Sequence, residues 1–289
     1  MLAGGWERLS EAAWQVALLG LAFGLLGLVA RRFAEPGPRG RQWPEARLNL
    51  ALMVVDKLLV WPVFAVVLVA ATEAVRAAGL PGDLPAFWDG VPAGLTVLAA
   101  VVVSDFVGYW RHRLMHTAWL WPSHAVHHSD AAMGWTAIFR FHPINRMVTG
   151  VLGSGALVAF GFPGYAVALN ALLRFHYGAF IHMDLPWTYG RLGRVFVSPA
   201  MHRWHHTAER AHFGINFSTV FSVFDQIFGT YDVPGPCRTA LGVEGLSGRP
   251  LTAQLAYPFR RRPYVDREGK EWHSLGESNP SFQVENLAS

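Results

Sequence analysis

YWRHRLMHTAWLWPSHAVHH, residues 109–128, and HRWHH, residues 202–206, decide how this chain is read. Twelve of its thirteen histidines fall between His112 and His212, and eight of them lie in HRLMH (112–116), HAVHH (124–128) and HRWHH (202–206). On a helix, residues i, i+3 and i+4 share a face about 5–6 Å apart. His112 and His116 form an i, i+4 pair, while His124, His127, His128 and His202, His205, His206 form i, i+3, i+4 triplets. Each cluster therefore reads as a prepared ligand face. A structural zinc takes about four ligands and a catalytic one about three plus water, so eight imidazoles imply two ions, each with an open position. Imidazole suits iron, copper, nickel and zinc alike, so ligand type alone does not choose the metal.

The composition places this site in a membrane protein. Hydrophobic residues make up 52% of the 289 and charged residues 15%, against about 25% charged in soluble domains; the mean hydropathy is +0.24. Residues 12–30 are long and apolar enough to cross a hydrocarbon core of about 30 Å and fit a retained anchor rather than a cleaved signal. Gly20 and Gly24 in it form a small-xxx-small step. A second span is expected within 48–72, with Asp56 and Lys57 near its start, and a third from Val91 to Trp110. The stretch from Met147 to Met183, broken at Gly161-Phe162-Pro163-Gly164, reads as a helical hairpin. That makes four or five membrane segments.

Arg31, Arg32, Arg39, Arg41 and Arg47 crowd the first loop, whereas residues 77–90 carry Asp83 and Asp89 and no lysine or arginine. The positive-inside rule makes the arginine loop cytoplasmic. All three histidine clusters then converge on the cytoplasmic face, in a helical cap on an all-α integral membrane fold. The net charge of +4, through Arg191, Arg194, Arg203 and Arg260–Arg262, suits anionic headgroups; a nucleic-acid partner does not suit so apolar a chain. The single Cys237 excludes a cysteine-ligated iron–sulfur cluster or an internal disulfide. The expected organisation is an N-terminal membrane region with a basic cytoplasmic loop (1–97), a catalytic domain (98–235) and a polar tail (236–289).

Hydrolysis at two metals normally uses bridging carboxylates, and none stands at ligand spacing in the clusters. Transport would line several spans with ionisable groups, yet the clusters follow the span ends. Oxygen activation remains, because neutral imidazoles leave the metal charge uncompensated. A metal- or haem-binding protein without catalysis is the rival from another class. Axial haem ligation needs only one or two histidines.

Residues 98–235 resemble the fatty acid hydroxylase and sterol desaturase superfamily of membrane di-iron oxygenases. The resemblance rests on SDFVGYWRHRLMH (104–116), HAVHHSD (124–130), FRFHPIN (139–145), FIHMD (180–184), SPAMHRWHH (198–206) and FDQIFGTYDVP (224–234). It implies two iron ions, O2 as co-substrate, and hydroxylation or desaturation of a fatty acyl, sterol or related lipid. Electrons would come from a separate ferredoxin, cytochrome or reductase. The metal ligands it implies are His112, His116, His124, His127, His128, His202, His205 and His206, with His182 as a ninth. His142 and His176 are candidates to ligate or line the site, and His212 and His273 are expected to be solvated. Asp105, Asp130 and Asp184 are expected to orient imidazole N–H groups, and Gly153 and Gly155 to line a substrate channel. FIHMD to HRWHH is also similar to the alkylglycerol monooxygenase branch, whose members use a reduced pterin. Two departures from the family pattern, Asn216-Phe217-Ser218 and Phe224, are expected to lie away from the ligands.

Overall fold

The computed structural model describes residues 42–79 and 84–260, together with helical residues 17, 18, 21, 22, 25 and 26. The rest of the expected first span with Gly20 and Gly24, the arginine loop up to residue 41, the loop around Gly82, and the tail beyond Arg260 with His273 lie outside the described residues.

Within them the chain is helical and has no strand, only the isolated bridges Phe196 to Phe221 and Thr207 to Leu241. The first long element joins α1 (Gln42–Val55), a π turn (Asp56–Val60) and α2 (Trp61–Ala77). The widened turn has a local cause. Pro62 cannot donate a backbone hydrogen bond, and the Trp61 N–H bonds the Asp56 carbonyl five residues back, so one extra residue is absorbed before the proline. Arg146 pairs with the Asp56 carboxylate at 3.1 Å, which fixes this turn to the next layer.

After the short α3 (Leu84–Asp89) comes α4 (Ala93–Met115), which runs through HRLM without a break. Residues 43–77 and 93–115 are long and apolar enough to cross a membrane. Their outward faces carry exposed Leu59, Val63, Val66, Val69, Leu95 and Leu98. The expected hairpin is α6 (Pro143–Ala159) and α7 (Gly164–Ile181), which pack on α4 around Ala100, Leu157, Phe162 and Ala166. The second and third expected spans and the hairpin are thus helices, two of them, 43–77 and 93–115, being candidate spans among the described residues.

Four short helices accompany the long ones: α5 (Trp121–His128), α8 (Pro199–His205), α9 (Val223–Ile227) and α10 (Leu251–Ala256). Proline stands in the first turn of α5, α6 and α8, where its missing N–H costs nothing and its fixed φ favours helix. One carboxylate ties the residues after α8 to α4. Asp105, fully buried on α4, accepts the N–H groups of Thr219, Val220 and Phe221 and pairs with Arg174 of α7.

Gly161 turns the hairpin with φ of 66°, and a Cβ there would stand 3.0 Å from Leu84 Cβ and 3.1 Å from the Pro85 nitrogen. Gly161→Ala should therefore cost about 1–3 kcal/mol, the usual penalty for a non-glycine residue held left-handed, with crowding added. Thermal unfolding of the purified variant should show a clearly lowered midpoint. An unchanged midpoint would mean that the turn does not hold the hairpin as described.

Candidate metal centre

The elements deliver nine histidines to one buried volume and divide them into two groups. His112, His116, His124, His128 and His205 form one, and His127, His182, His202 and His206 the other; within each, the ligand nitrogens lie within 4.8 Å of one another. All nine are buried. The groups do not follow the clusters. Each i, i+4 pair (112/116, 124/128, 202/206) stays together, while the i+3 member of each triplet, His127 or His205, crosses to the other group. The sequence reading of each triplet as a single ligand face is corrected here. Adjacent helical residues project about 100° apart, so His127 and His128, or His205 and His206, cannot turn toward the same ion.

The hydrogen bonds determine which nitrogen faces inward. Nδ1 of His112 meets the Phe217 carbonyl at 2.7 Å, that of His205 the Ile215 carbonyl at 2.7 Å, that of His127 the Arg140 carbonyl at 3.2 Å and that of His182 the Gly178 carbonyl at 2.5 Å. A carbonyl can only accept, so these four rings carry their proton on Nδ1 and present a bare lone pair at Nε2. Yet Nε2 of His182 lies 3.3 Å from Nε2 of His127. Two lone pairs at that distance repel unless a cation lies between them.

The same spacing recurs through both groups. It is 3.0 Å for His112 and His124, 3.2 Å for His124 and His128, 3.0 Å for His182 and His202, and 3.2 Å for His202 and His206. Two nitrogens bound to one ion at about 2.1 Å, with an angle of 90–109° between them, stand about 3.0–3.4 Å apart. Nε2 of His116 and of His205 is buried without a hydrogen-bond partner, as is Nδ1 of His202 and of His206. A proton is a poor substitute for the metal. Burial pushes His182 and His205 down to about 4 and holds His116, His124, His127, His128, His202 and His206 well below the usual value near 6.5. Among the described residues no carboxylate or thiolate joins either group. These donors suit two imidazole-bound cations.

Other expected residues take different places. His142 uses both ring nitrogens in structure: Nδ1 accepts from the Ile144 N–H at the start of α6, and Nε2 meets the Leu255 carbonyl. His176 is exposed and bonds the Leu172 carbonyl within its own helix. Neither joins a group. His212, expected in solvent, is partly buried and pairs with Asp232 at 2.8 Å. The three carboxylates expected to orient imidazoles are engaged elsewhere: Asp105 as above, Asp130 with Asn49 and the Ala132 N–H, and Asp184 with Arg203. Backbone carbonyls orient the rings instead. Phe217 is not remote either, since its ring packs 5.1 Å from that of His116 and 5.6 Å from that of His205. Phe224 does stand apart, against Phe106 of α4. Gly153 and Gly155 face open space, whereas a Cβ at Gly150 would meet the Phe64 ring at 2.5 Å.

The sequence reading missed the supports. Arg140 is fully buried; its guanidinium bonds the Val126 carbonyl, Ser129, Asn49 and Glu45, so one side chain joins α1 to the end of α5 while its own carbonyl holds His127. Asn145 meets His124 Nδ1 at 2.6 Å. Asp225 accepts the N–H groups of Phe217 and Ser218 and the Thr230 hydroxyl, which fixes the strip that receives His112 and His205. A signal existed for the first: Glu45 and Asn49, at i, i+4 in an apolar helix, need a buried partner.

Residues 97–230 match the family model described as fatty acid hydroxylase. An ornithine lipid hydroxylase of Rhizobium tropici is 31% identical over 188 residues, covering 64% of this chain and 57% of that one. Human alkylglycerol monooxygenase is 29% identical over 162 residues, 55% of this chain and 34% of its own. Methylsterol monooxygenase 2-2 of Arabidopsis thaliana is 29% identical over 191 residues, 63% and 64%. The chain thus spans less than two thirds of each of these relatives. No solved structure matches it.

The low histidine values set a pH dependence for the metal-free protein. In the unfolded chain these rings take up protons near 6.5, but in the fold His182 and His205 do so only near 4. Between those values the unfolded state binds more protons, so stability is full above about pH 6.5 and falls as pH drops toward 4. Chelator-treated protein should show an unfolding midpoint that declines steadily from pH 7 to 4.5. A flat profile would contradict a buried neutral cluster.

Proposed function

With residues 97–230 a fatty acid hydroxylase domain, we propose that this chain is a membrane-bound oxygenase whose nine clustered histidines hold two iron ions. It hydroxylates or desaturates a lipid with O2 and electrons from an external donor. The observation that carries this reading is the pair of buried all-histidine groups, in one of which the bare Nε2 atoms of His127 and His182 meet at 3.3 Å. Two irons in such sites supply O2 reduction and hydrogen abstraction from an unactivated carbon. A hydroxylation would balance as lipid C–H, O2, two electrons and two protons giving lipid C–OH and water.

The chain's own part is positioning and exclusion. Carbonyls of Arg140, Gly178, Ile215 and Phe217 keep the proton on Nδ1 and leave Nε2 as donor. Burial keeps the rings neutral and water out. The lipid body would reach the centre along α4, α6 and α7, whose surfaces toward the bilayer are apolar. The roles of Gly153 and Gly155 as channel lining, of 98–235 as catalytic domain, and of the cap as cytoplasmic belong to this proposal. The likeness to alkylglycerol monooxygenase supports a second reading, an ether-lipid monooxygenase served by a reduced pterin on the same centre.

Protein given its lipid, a reductant and 18O2 should place one labelled oxygen in a hydroxylated product, or make a double bond and labelled water. His127→Ala or His205→Ala, each taking a donor from one group, should cut turnover at least about a hundredfold, the loss expected when a metal ligand or its support is removed. Wild-type turnover in either variant would refute the two-ion reading. Turnover that requires tetrahydropterin would select the second reading.

Topology is tested apart from chemistry. A reporter after Ser289 should be cytoplasmic and one inserted near Gly82 should face the other side. The reverse orientation would remove the centre from cytoplasmic reductant.

A further inference from the structure

Three arginines meet where α4, α6 and α7 come together. Arg111 lies on the α4 stripe of Ala100, Ser104 and Gly108, at four- and three-residue steps, one residue before His112. Arg174 of α7 reaches across to it. Its Nη2 fills the space a side chain at Gly108 would take, 2.9 Å from where a Cβ would stand, one helical turn from Arg111. Arg146 comes from the first turn of α6. The charged groups that act on Arg111 are Arg174, Asp105 and Arg146.

The charges do not balance. Arg174 has Asp105 and Arg146 has Asp56, the latter at 3.1 Å. Arg111 has neither an ion pair nor a hydrogen bond among the described residues, and its Nε is buried without a partner. Asp105 cannot serve it as well, because its oxygens already accept from Arg174 and from Thr219, Val220 and Phe221. Holding Nε out of water with no hydrogen-bond partner is costly, while the residue as a whole is only partly buried. All three remain reachable: Arg111 is only partly buried, the Arg146 side chain is 32% exposed and that of Arg174 14%.

We propose that Arg111, with Arg174 and Arg146 beside it, is a binding site for an oxyanion, a carboxylate or phosphate ester, carried by the lipid that enters between α4 and the hairpin. The site rests on the reading above that a lipid reaches the metal centre, and it narrows the substrate to one with an anionic group close to the carbon that reacts. A guanidinium offers paired donors to the two oxygens of such a group. Bound there, the anion would anchor the lipid one residue from His112.

Binding without turnover tests it. Laurate, dodecyl phosphate and dodecanol are titrated into the full chain in nanodiscs of neutral lipid. Laurate and dodecyl phosphate should bind wild-type protein at least about tenfold more tightly than dodecanol, and Arg111→Gln should remove that difference while leaving dodecanol binding and metal content unchanged. Arg111→Lys, which keeps charge but not the paired donors, should fall between. Should Arg111→Gln fail to fold, Arg146→Gln, at the more exposed position, should still weaken laurate several-fold. Inorganic phosphate that displaces laurate would show that the pocket takes free anions also; failure to displace it would tie the anion to the chain. Equal binding of laurate and dodecanol to wild-type protein, or full laurate affinity in Arg111→Gln, would overturn the proposal. A protein that bound laurate through Arg111 yet took up no metal would refute the oxygenase reading and leave the anion site standing.

Discussion

Mutual repulsion of imidazole lone pairs in a dry interior is the constraint on which the rest of this molecule depends. Four rings donate from Nδ1 to backbone carbonyls, which leaves their Nε2 atoms as acceptors; those of His112, His127 and His182 lie about 3 Å from another Nε2, and that of His205 is buried without a partner. In water such rings would separate or protonate. Burial opposes both, and cations among the nitrogens relieve the repulsion. Much of the fold serves to hold the rings in this position.

Each support is a buried polar group doing two tasks. Arg140 links the first long helix to the end of α5 through its guanidinium and orients His127 through its carbonyl. Asp225 of α9 holds Phe217 and Ser218 by their N–H groups, and Asp105 of α4 holds the next three residues, so the strip whose carbonyls receive His112 and His205 is fixed to both helices. Such networks are favourable only when fully satisfied. Arg111 is the conspicuous charge in this region without a partner, which is why it points to a ligand.

Much of this was legible in the sequence because helical periodicity is a strong signal. The three clusters announced helices and ligands, and proline and glycine marked the hairpin break at Gly161 to Gly164. The partition of ligands was legible only in part: adjacency separates His127 from His128 and His205 from His206, but not which ring joins which group. Spacing gives the direction of a side chain around its own axis, but the crossing of His127 and His205 depends on how α5 and α8 pack across from one another. His182 stands alone and emerged through resemblance to a family, since one histidine at a helix end carries no pattern. The orienting groups were misread for a physical reason as well: backbone carbonyls leave no mark in composition, so the nearby Asp105, Asp130 and Asp184 drew the assignment. The closeness of Phe217 leaves no mark for the same reason, because its carbonyl and ring act from a loop.

The central claim is that the two groups each hold one ion. Cobalt(II) titrated into chelator-treated protein reports it through ligand-field bands and through X-ray absorption. The account predicts saturation at two ions per chain with nitrogen or oxygen neighbours only, most of them imidazole. Saturation at one ion, or a purified protein whose metal is carried by haem with a Soret band, would contradict it.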